Sequence, residues 1–221
     1  MDGTHPLDVS PAERRRRRVR EAILQAAERV FAKEGEAGLS IRRLADEIDY
    51  SPAAIYKYFG SKTELVDELK EAFFANLLGQ VDTMRDAVRA FPAMARDCVS
   101  AYVRTALKKP HHYAAAFSNI GDDQEHDEAA SGDFGASNKG RAFLYLQDMV
   151  AEGVAQGHFR ADLNPNEAAK SLWTASHGLA LMMAHMPRFP QMPGDPSDAA
   201  PLSRDAFIDY HADLLIRGLE A

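Results

Sequence analysis

Between residues 38 and 62 the chain reads GLSIRRLADEIDYSPAAIYKYFGSK, and its later half mixes tyrosines and lysines with very small residues. Ala53, Ala54 and Lys57 are small or basic, Lys62 lies a few residues on, and Tyr56 and Tyr58 carry hydroxyls. Upstream, Arg14, Arg15, Arg16, Arg17 and Arg18 form an unbroken basic run, with Arg20 just beyond it. These groups cannot make or break covalent bonds together, and nowhere does a nucleophile stand beside a partnered base at motif spacing. They can hold phosphate oxygens, and alanines let a helix come close to base edges.

Two short helices must position them. Ser40 is placed to cap the first, which puts Ile41, Leu44, Ala45 and Ile48 on one face at spacings of three and four. Asp49-Tyr50-Ser51 breaks it, and Ser51-Pro52 opens the second helix with a cap and a proline in the first turn. That segment carries Ala53, Ala54, Ile55, Tyr56 and Phe59. Paired short helices around a tight turn form a helix-turn-helix, whose second helix enters the DNA major groove. A longer helix from about Arg14 to Lys33 precedes the pair, with Val19, Ile23, Ala26, Ala27, Val30 and Phe31 as its apolar stripe and Gly35 as its C-cap. Ser10 can cap an earlier start at Pro11. Arginines suit the start of a helix poorly, since that end is electropositive, so an outside anion is the natural partner. A merely solvated basic tip is the alternative. After the pair, Ser61-Lys-Thr-Glu64 reads as a capping box for a helix running from Lys62 beyond Leu78 along Leu65, Leu69, Phe73 and Leu77. Such a helix can act as a lever between the two parts of the chain.

The net charge of −7 argues at first against a polyanionic partner, but its distribution reverses that argument. Residues 11–62 hold 12 Lys/Arg against 8 Asp/Glu, and residues 63–221 hold 14 against 23. A basic head on an acidic body suits a DNA reader that docks head first. The single cysteine, Cys98, excludes an internal disulfide framework, suits a reducing compartment and reads as a small core side chain. No apolar run precedes the arginines and no stretch reaches a membrane-spanning length, so a cytoplasmic protein without a membrane partner is expected. The body reads as successive helices over about 86–109, 111–120, 138–156, 166–185 and 202–219, with Pro92 as a kink or restart. Strand-like alternation and internal repeats are absent. The acidic loop at 121–137 surrounds His126 with carboxylates, yet its spacing matches no metal-binding pattern, and no cofactor is called for. At this point two readings compete: a DNA-binding regulator and an all-helical interaction protein that never touches DNA.

Residues 20–69 resemble the DNA-binding domain of TetR/AcrR-family bacterial transcription regulators. The pattern I-L-x-A-A-x-x-x-F is followed in order by L-A and S-P-x-x-I-Y-x-Y-F-x-S-K-x-x-L. The resemblance implies an all-α fold: an N-terminal three-helix head with the helix-turn-helix, and a larger helical ligand-binding and dimerisation body. It divides the chain into a flexible arm at 1–13, a head at 14–61 and a body at 62–221. It implies a homodimer on a palindromic operator in double-stranded DNA, usually as a repressor released by a small-molecule effector, with an activator as the alternative. Ser40 and Arg42 would lie near phosphate, Ser51, Ala53, Ala54 and Lys57 would face the groove, and Tyr56 and Lys62 would hold phosphates. Asp49 departs from the family's usual glycine at a turn that favours left-handed backbone, which Asp tolerates better than most residues.

In the body, Trp173 to Gly178 resembles the W-x-x-x-H-G signature of one C-terminal class of the family. Trp173 and His177, four apart, share a helix face. His177 reads either as a hydrogen-bonded core histidine or as the group that recognises a polar atom of an effector in an apolar cavity. Tyr113, Phe117, Phe143, Met149, Met182 and Met183 are the expected wall residues. The last two long helices, with Leu172, Leu179, Ala180, Phe207, His211, Leu214 and Leu215, are the expected dimer surface.

Overall fold

Serine hydroxyls set where most helices begin. In the computed structural model, which describes residues 10–85, 90–108, 110–117, 134–192 and 200–221, Ser10 and Glu13 close a reciprocal capping box. Glu13 N donates to Ser10 Oγ at 3.2 Å and Ser10 N donates to Glu13 Oε2 at 2.8 Å. α1 therefore runs from Pro11, through residues expected to belong to a flexible arm, to Gly38. Residues 1–9 of that arm lie outside the described residues. Gly35, expected to end the helix, instead kinks it: its φ of 67° is left-handed, and a further helical turn follows.

α2 spans Ile41–Glu47 and α3 Pro52–Ile55, capped by Ser40 Oγ and Ser51 Oγ respectively. Asp49 between them has φ 55°, the left-handed conformation expected of it, and is the sole non-glycine residue with positive φ among the described residues. α4, Lys62–Arg85, starts on Ser61, whose hydroxyl accepts from Glu64 N at 3.0 Å. The Glu64 carboxylate in turn accepts from Gly60 N at 2.7 Å.

α5 spans Phe91–Lys108, so Pro92 marks a restart in its first turn and not a kink. The short α6, Pro110–Ala116, follows directly. After a single 3₁₀ turn at Phe134–Ala136 come α7, Asn138–Ala155; α8, Pro165–His185, capped by Asn164; and α9, Arg204–Arg217, capped by Ser203. The described residues contain no strand, only one isolated bridge between Phe159 and Glu220. No described helix is long and apolar enough to cross a membrane.

Two hydrophobic cores result. Ile23, Ala27, Val30, Leu39, Leu44, Ile55 and Phe59 form the smaller one and are joined there by Leu65, Val66 and Leu69 from the start of α4. From Phe73 onward α4 belongs to the larger core, with α5, α7, α8 and α9. One continuous helix is therefore shared by both, as a lever requires. α6 makes a second junction: it packs on α4 and α5 on one side and on α1 on the other. α9 is fastened to α5 by a polar seam. Arg96 pairs with Asp213 and Glu220 at 2.7 Å each, and Arg104 with Asp209 at 2.6 Å.

Candidate nucleic-acid interface and ligand cavity

The apolar positions of α2 and α3 face inward: Leu44, Ala45, Ile55 and Phe59 have no exposed surface. Their burial leaves Ser40, Arg42, Ser51, Ala53, Tyr56 and Lys57 on the outside, with Ala54 and Lys62 half-buried beside them. Tyr56 is 54% exposed, which leaves its hydroxyl open to a partner outside the chain. Ala53 and Ala54 present only methyl groups, so the backbone of α3 can approach a duplex closely. Its short side chains leave base-edge contact to thymine methyls and to Lys57.

Arg14–Arg18 are exposed along the first turns of α1, which run beyond the part of the helix that packs in the head core. Arg17 has an exposed (i, i+4) partner in Glu21 at 3.7 Å, a pairing weak enough to yield to phosphate. Arg20 behaves differently. It forms a two-pronged ion pair with Glu68 on α4, its Nη1 at 3.1 Å from Oε2, and its guanidinium lies 4.7 Å above the Phe59 ring. The Glu68 carboxylate raises the Arg20 pKa further. The last arginine of the cluster thus clamps α1 to α4 and covers the Phe59 ring in the segment between α3 and α4, a role that residue type alone does not reveal.

The body holds an apolar cleft between α4, α5, α7 and α8, with an empty volume of about 560 Å³ including its open mouth. Phe74, Leu77, Leu78 and Val81 come from α4, Cys98, Val99 and Tyr102 from α5, Ala142, Phe143, Tyr145 and Leu146 from α7, and Leu172, Trp173 and Ser176 from α8. Among the described residues no Lys, Arg, Asp, Glu or His lines it. Of the expected wall residues, Phe143 and Trp173 are on this wall, their rings 5.4 Å apart. Tyr113, Phe117 and His177 are not. They gather behind it, Phe117 lying 4.3 Å from His177 and 6.1 Å from Phe74, ring to ring. Met149 is buried in the core without reaching the cleft, and Met183 is fully buried. Met182 sits on the outer face of α8, 39% exposed, because the side chain next to Met183 on a helix turns about 100° away from it.

His177 is joined to the wall by hydrogen bonds. Tyr102 Oη lies 3.1 Å from its Nδ1, and Trp173 Nε1 donates to Tyr102 Oη at 3.2 Å. Tyr113 Oη is 2.8 Å from the same Nδ1. Burial pushes both tyrosine hydroxyls well above their ordinary pKa and lowers that of His177, so all three groups are neutral at neutral pH. Tyr102 is not among the expected wall residues. The signal that could have found it was its phenol, which on a buried helix face needs a partner.

The outer faces of α8 and α9 carry exposed apolar side chains that no described residue covers: Leu181, Met182, Tyr210 and Leu214. Leu172, Leu179 and Ala180, expected on a dimer surface, are buried within the chain instead, and Phe207, His211 and Leu215 are half-buried. Among the described residues no group of His, Cys, Asp and Glu could hold a metal ion. Most of the acidic loop, including His126, lies outside the described residues.

Comparison with known proteins agrees with this architecture. The model for bacterial regulatory proteins of the tetR family matches residues 23–69, and that for the tetracyclin repressor-like C-terminal domain matches residues 95–206, half of the chain. The transcriptional repressor KstR2 of Mycobacterium tuberculosis is 26% identical over 148 residues, 66% of this chain and 71% of that protein. A protein of unknown function from Rhodococcus sp. RHA1 shares the fold with a TM-score of 0.73 at 22% identity, over 99% of this chain and 100% of its own. The regulator FadR of Bacillus subtilis, solved with stearoyl-CoA, shares it with a TM-score of 0.69 at 11% identity, over 90% of this chain and 99% of its own. The chain belongs to the TetR family of DNA-binding transcription regulators, and is such a regulator and not an enzyme.

Proposed function

We propose that this protein represses transcription as a homodimer on a palindromic operator and is released by a small-molecule effector held in the body cleft. The observation that carries the reading is the outer face of the helix-turn-helix, where exposed Tyr56 and Lys57 flank the small Ala53 and Ala54. Ser51, Ala53, Ala54 and Lys57 face the groove. Ser40, Arg42, Tyr56, Lys62 and Arg14–Arg18 take phosphates, and the protein works in the cytoplasm. The head acts through residues 14–61 and the body through residues 62–221, with α4 common to both.

Dimerisation is supported by the uncovered apolar faces of α8 and α9, whose occupant is a second copy related by a two-fold axis. One short helix reads only a few base pairs, and two place their readings a helical turn or more apart. Release is supported by the cleft, which is apolar, open at one side and walled by the same α4 that enters the head core. An effector acts only by binding the non-DNA conformation more tightly than the DNA-competent one. The named relatives fit this reading: one is a repressor, and a regulator of the same fold was solved with an acyl-CoA.

A salt series on a bound duplex tests it. Two chains per duplex, with affinity falling on the order of a thousandfold between 50 and 200 mM salt, is the expected result. An affinity indifferent to salt, or one chain per duplex, would overturn it.

A further inference from the structure

Two tyrosine hydroxyls converge on one imidazole nitrogen. Tyr102 Oη lies 3.1 Å and Tyr113 Oη 2.8 Å from His177 Nδ1. A ring nitrogen offers one hydrogen-bonding direction, a lone pair or an N–H according to the tautomer, so it cannot serve both hydroxyls fully at once. Tyr113 has a second outlet, because its hydroxyl also reaches the His177 carbonyl oxygen at 3.3 Å. Tyr102 already accepts from Trp173 Nε1, so its own O–H is shared between His177 Nδ1 and the Tyr113 hydroxyl, with which it also hydrogen-bonds. Tyr102 and Trp173 both line the cleft, whereas Tyr113 and His177 stand behind it. Of the other polar groups on the wall, the Ser176 hydroxyl is committed, donating to the Leu172 carbonyl at 2.8 Å, and Tyr145 adds a second phenol. Among the described lining residues a charged ligand group finds no opposite charge and would lose its hydration without return.

Resting on the reading of this cleft as the effector site, we propose that it takes uncharged, largely apolar molecules with one acceptor oxygen, such as a ketone, ester or ether. The ligand oxygen accepts the Tyr102 O–H, which leaves His177 Nδ1 to Tyr113 alone. Tyr113 lies on α6, and α6 packs on α1 of the head. A hydrogen bond gained in the cleft is thereby passed to α6 through one shared nitrogen. Tyr102 is the group that reads the ligand, and Tyr113 is a positioning residue that couples the reading to the head.

Trp173 is the only tryptophan of the chain and lies on the cleft wall, so its fluorescence reports occupancy directly. The probes are 1-tetralone and tetralin, which differ by a carbonyl in place of a methylene. The full-length wild type should bind 1-tetralone about fivefold more tightly, the factor that one net hydrogen bond supplies. Tyr102→Phe should abolish that preference, and Tyr113→Phe should keep it. With a duplex selected by the wild-type protein, 1-tetralone should weaken DNA binding by the wild type and leave Tyr113→Phe unaffected. Equal wild-type affinity for the two probes overturns the acceptor inference and leaves the cleft reading standing; this comparison needs no variant. Binding of 1-tetralone without a change in duplex affinity, or an undiminished change in Tyr113→Phe, overturns the coupling. If neither compound alters Trp173 emission, the cleft reading fails and this inference fails with it.

Discussion

The head and the body solve opposite problems with the same secondary structure. In the head, the groups proposed to meet DNA are mostly charged or hydroxylic, largely exposed, and anchored on a small apolar core behind them. In the body, the described groups that surround the cleft are uncharged and buried or half-buried, and most of them belong to the core or pack against it. A change on the outer face of the head should therefore alter binding with little effect on stability. A change at the cleft should alter both, because no side chain there can be altered without repacking its neighbours. The two regions are joined by α4, which lies in both cores, and by α6, which packs on α1 as well as on α4 and α5.

The comparison is broken most severely by attacking the core under the head's functional face. Phe59 has no exposed surface and carries the Arg20 guanidinium on its ring. Phe59→Ala should cost about 3–5 kcal/mol and abolish DNA binding, while Trp173 emission, a reporter of the body, stays native until the later transition of a denaturant titration. The matching change in the body is Gly153→Ala. An added Cβ would lie 2.3 Å from Phe159 Cδ2 and 2.8 Å from Phe91 Cε1, both in a packed aromatic cluster. It should cost about 1–3 kcal/mol, read as a lowered midpoint for Trp173 unfolding.

On the outer face of the head the expected effects are on recognition. Lys57→Ala should lose about 1–3 kcal/mol of discrimination at one base pair per half-site, whereas Lys62→Ala should weaken all duplexes alike and flatten the salt slope by about 1. Equal losses across sequences for both variants would contradict the division between groove and phosphate contacts. The smallest effect is that of pH. Burial lowers the pKa of His177 and of His211, so between the folded values and the unfolded value near ~6.5 the unfolded chain binds more protons. Stability should be flat above neutrality, fall as pH drops below about 6.5, and level off once both folded histidines are charged. His177→Gln should shrink the fall in melting temperature over that window; an unchanged pH profile would show that His177 contributes nothing to it.

What was legible in the chain depended on sequence distance. Ser40, Ser51, Ser61 and Asn164 cap helices within three residues of themselves, so their roles follow from local pattern, whereas the left-handed Asp49 followed from the resemblance, which has glycine there. The outer face of α3 follows from which neighbours are apolar. The cleft does not, because its wall is assembled from four helices and its key contacts join residues 71 and 75 positions apart. Phe143 was named as a wall residue by residue type and Trp173 through its W-x-x-x-H-G signature, but type alone could not separate Met182, on the surface, from Met183, in the core. The Arg20–Glu68 clamp was hidden for the same reason: a basic run suggests one shared role for all its arginines, and only the packing of α1 on α4 sets the last one apart.

The most direct test of the central claim is selection of bound duplexes from a random DNA pool by the full-length protein at moderate salt. The account predicts enrichment of a palindrome whose half-sites lie a helical turn or more apart, with one half-site position relaxed when Lys57→Ala is used instead. A folded dimer that enriches no sequence, or a Lys57→Ala variant that selects the same site as sharply as the wild type, would contradict it.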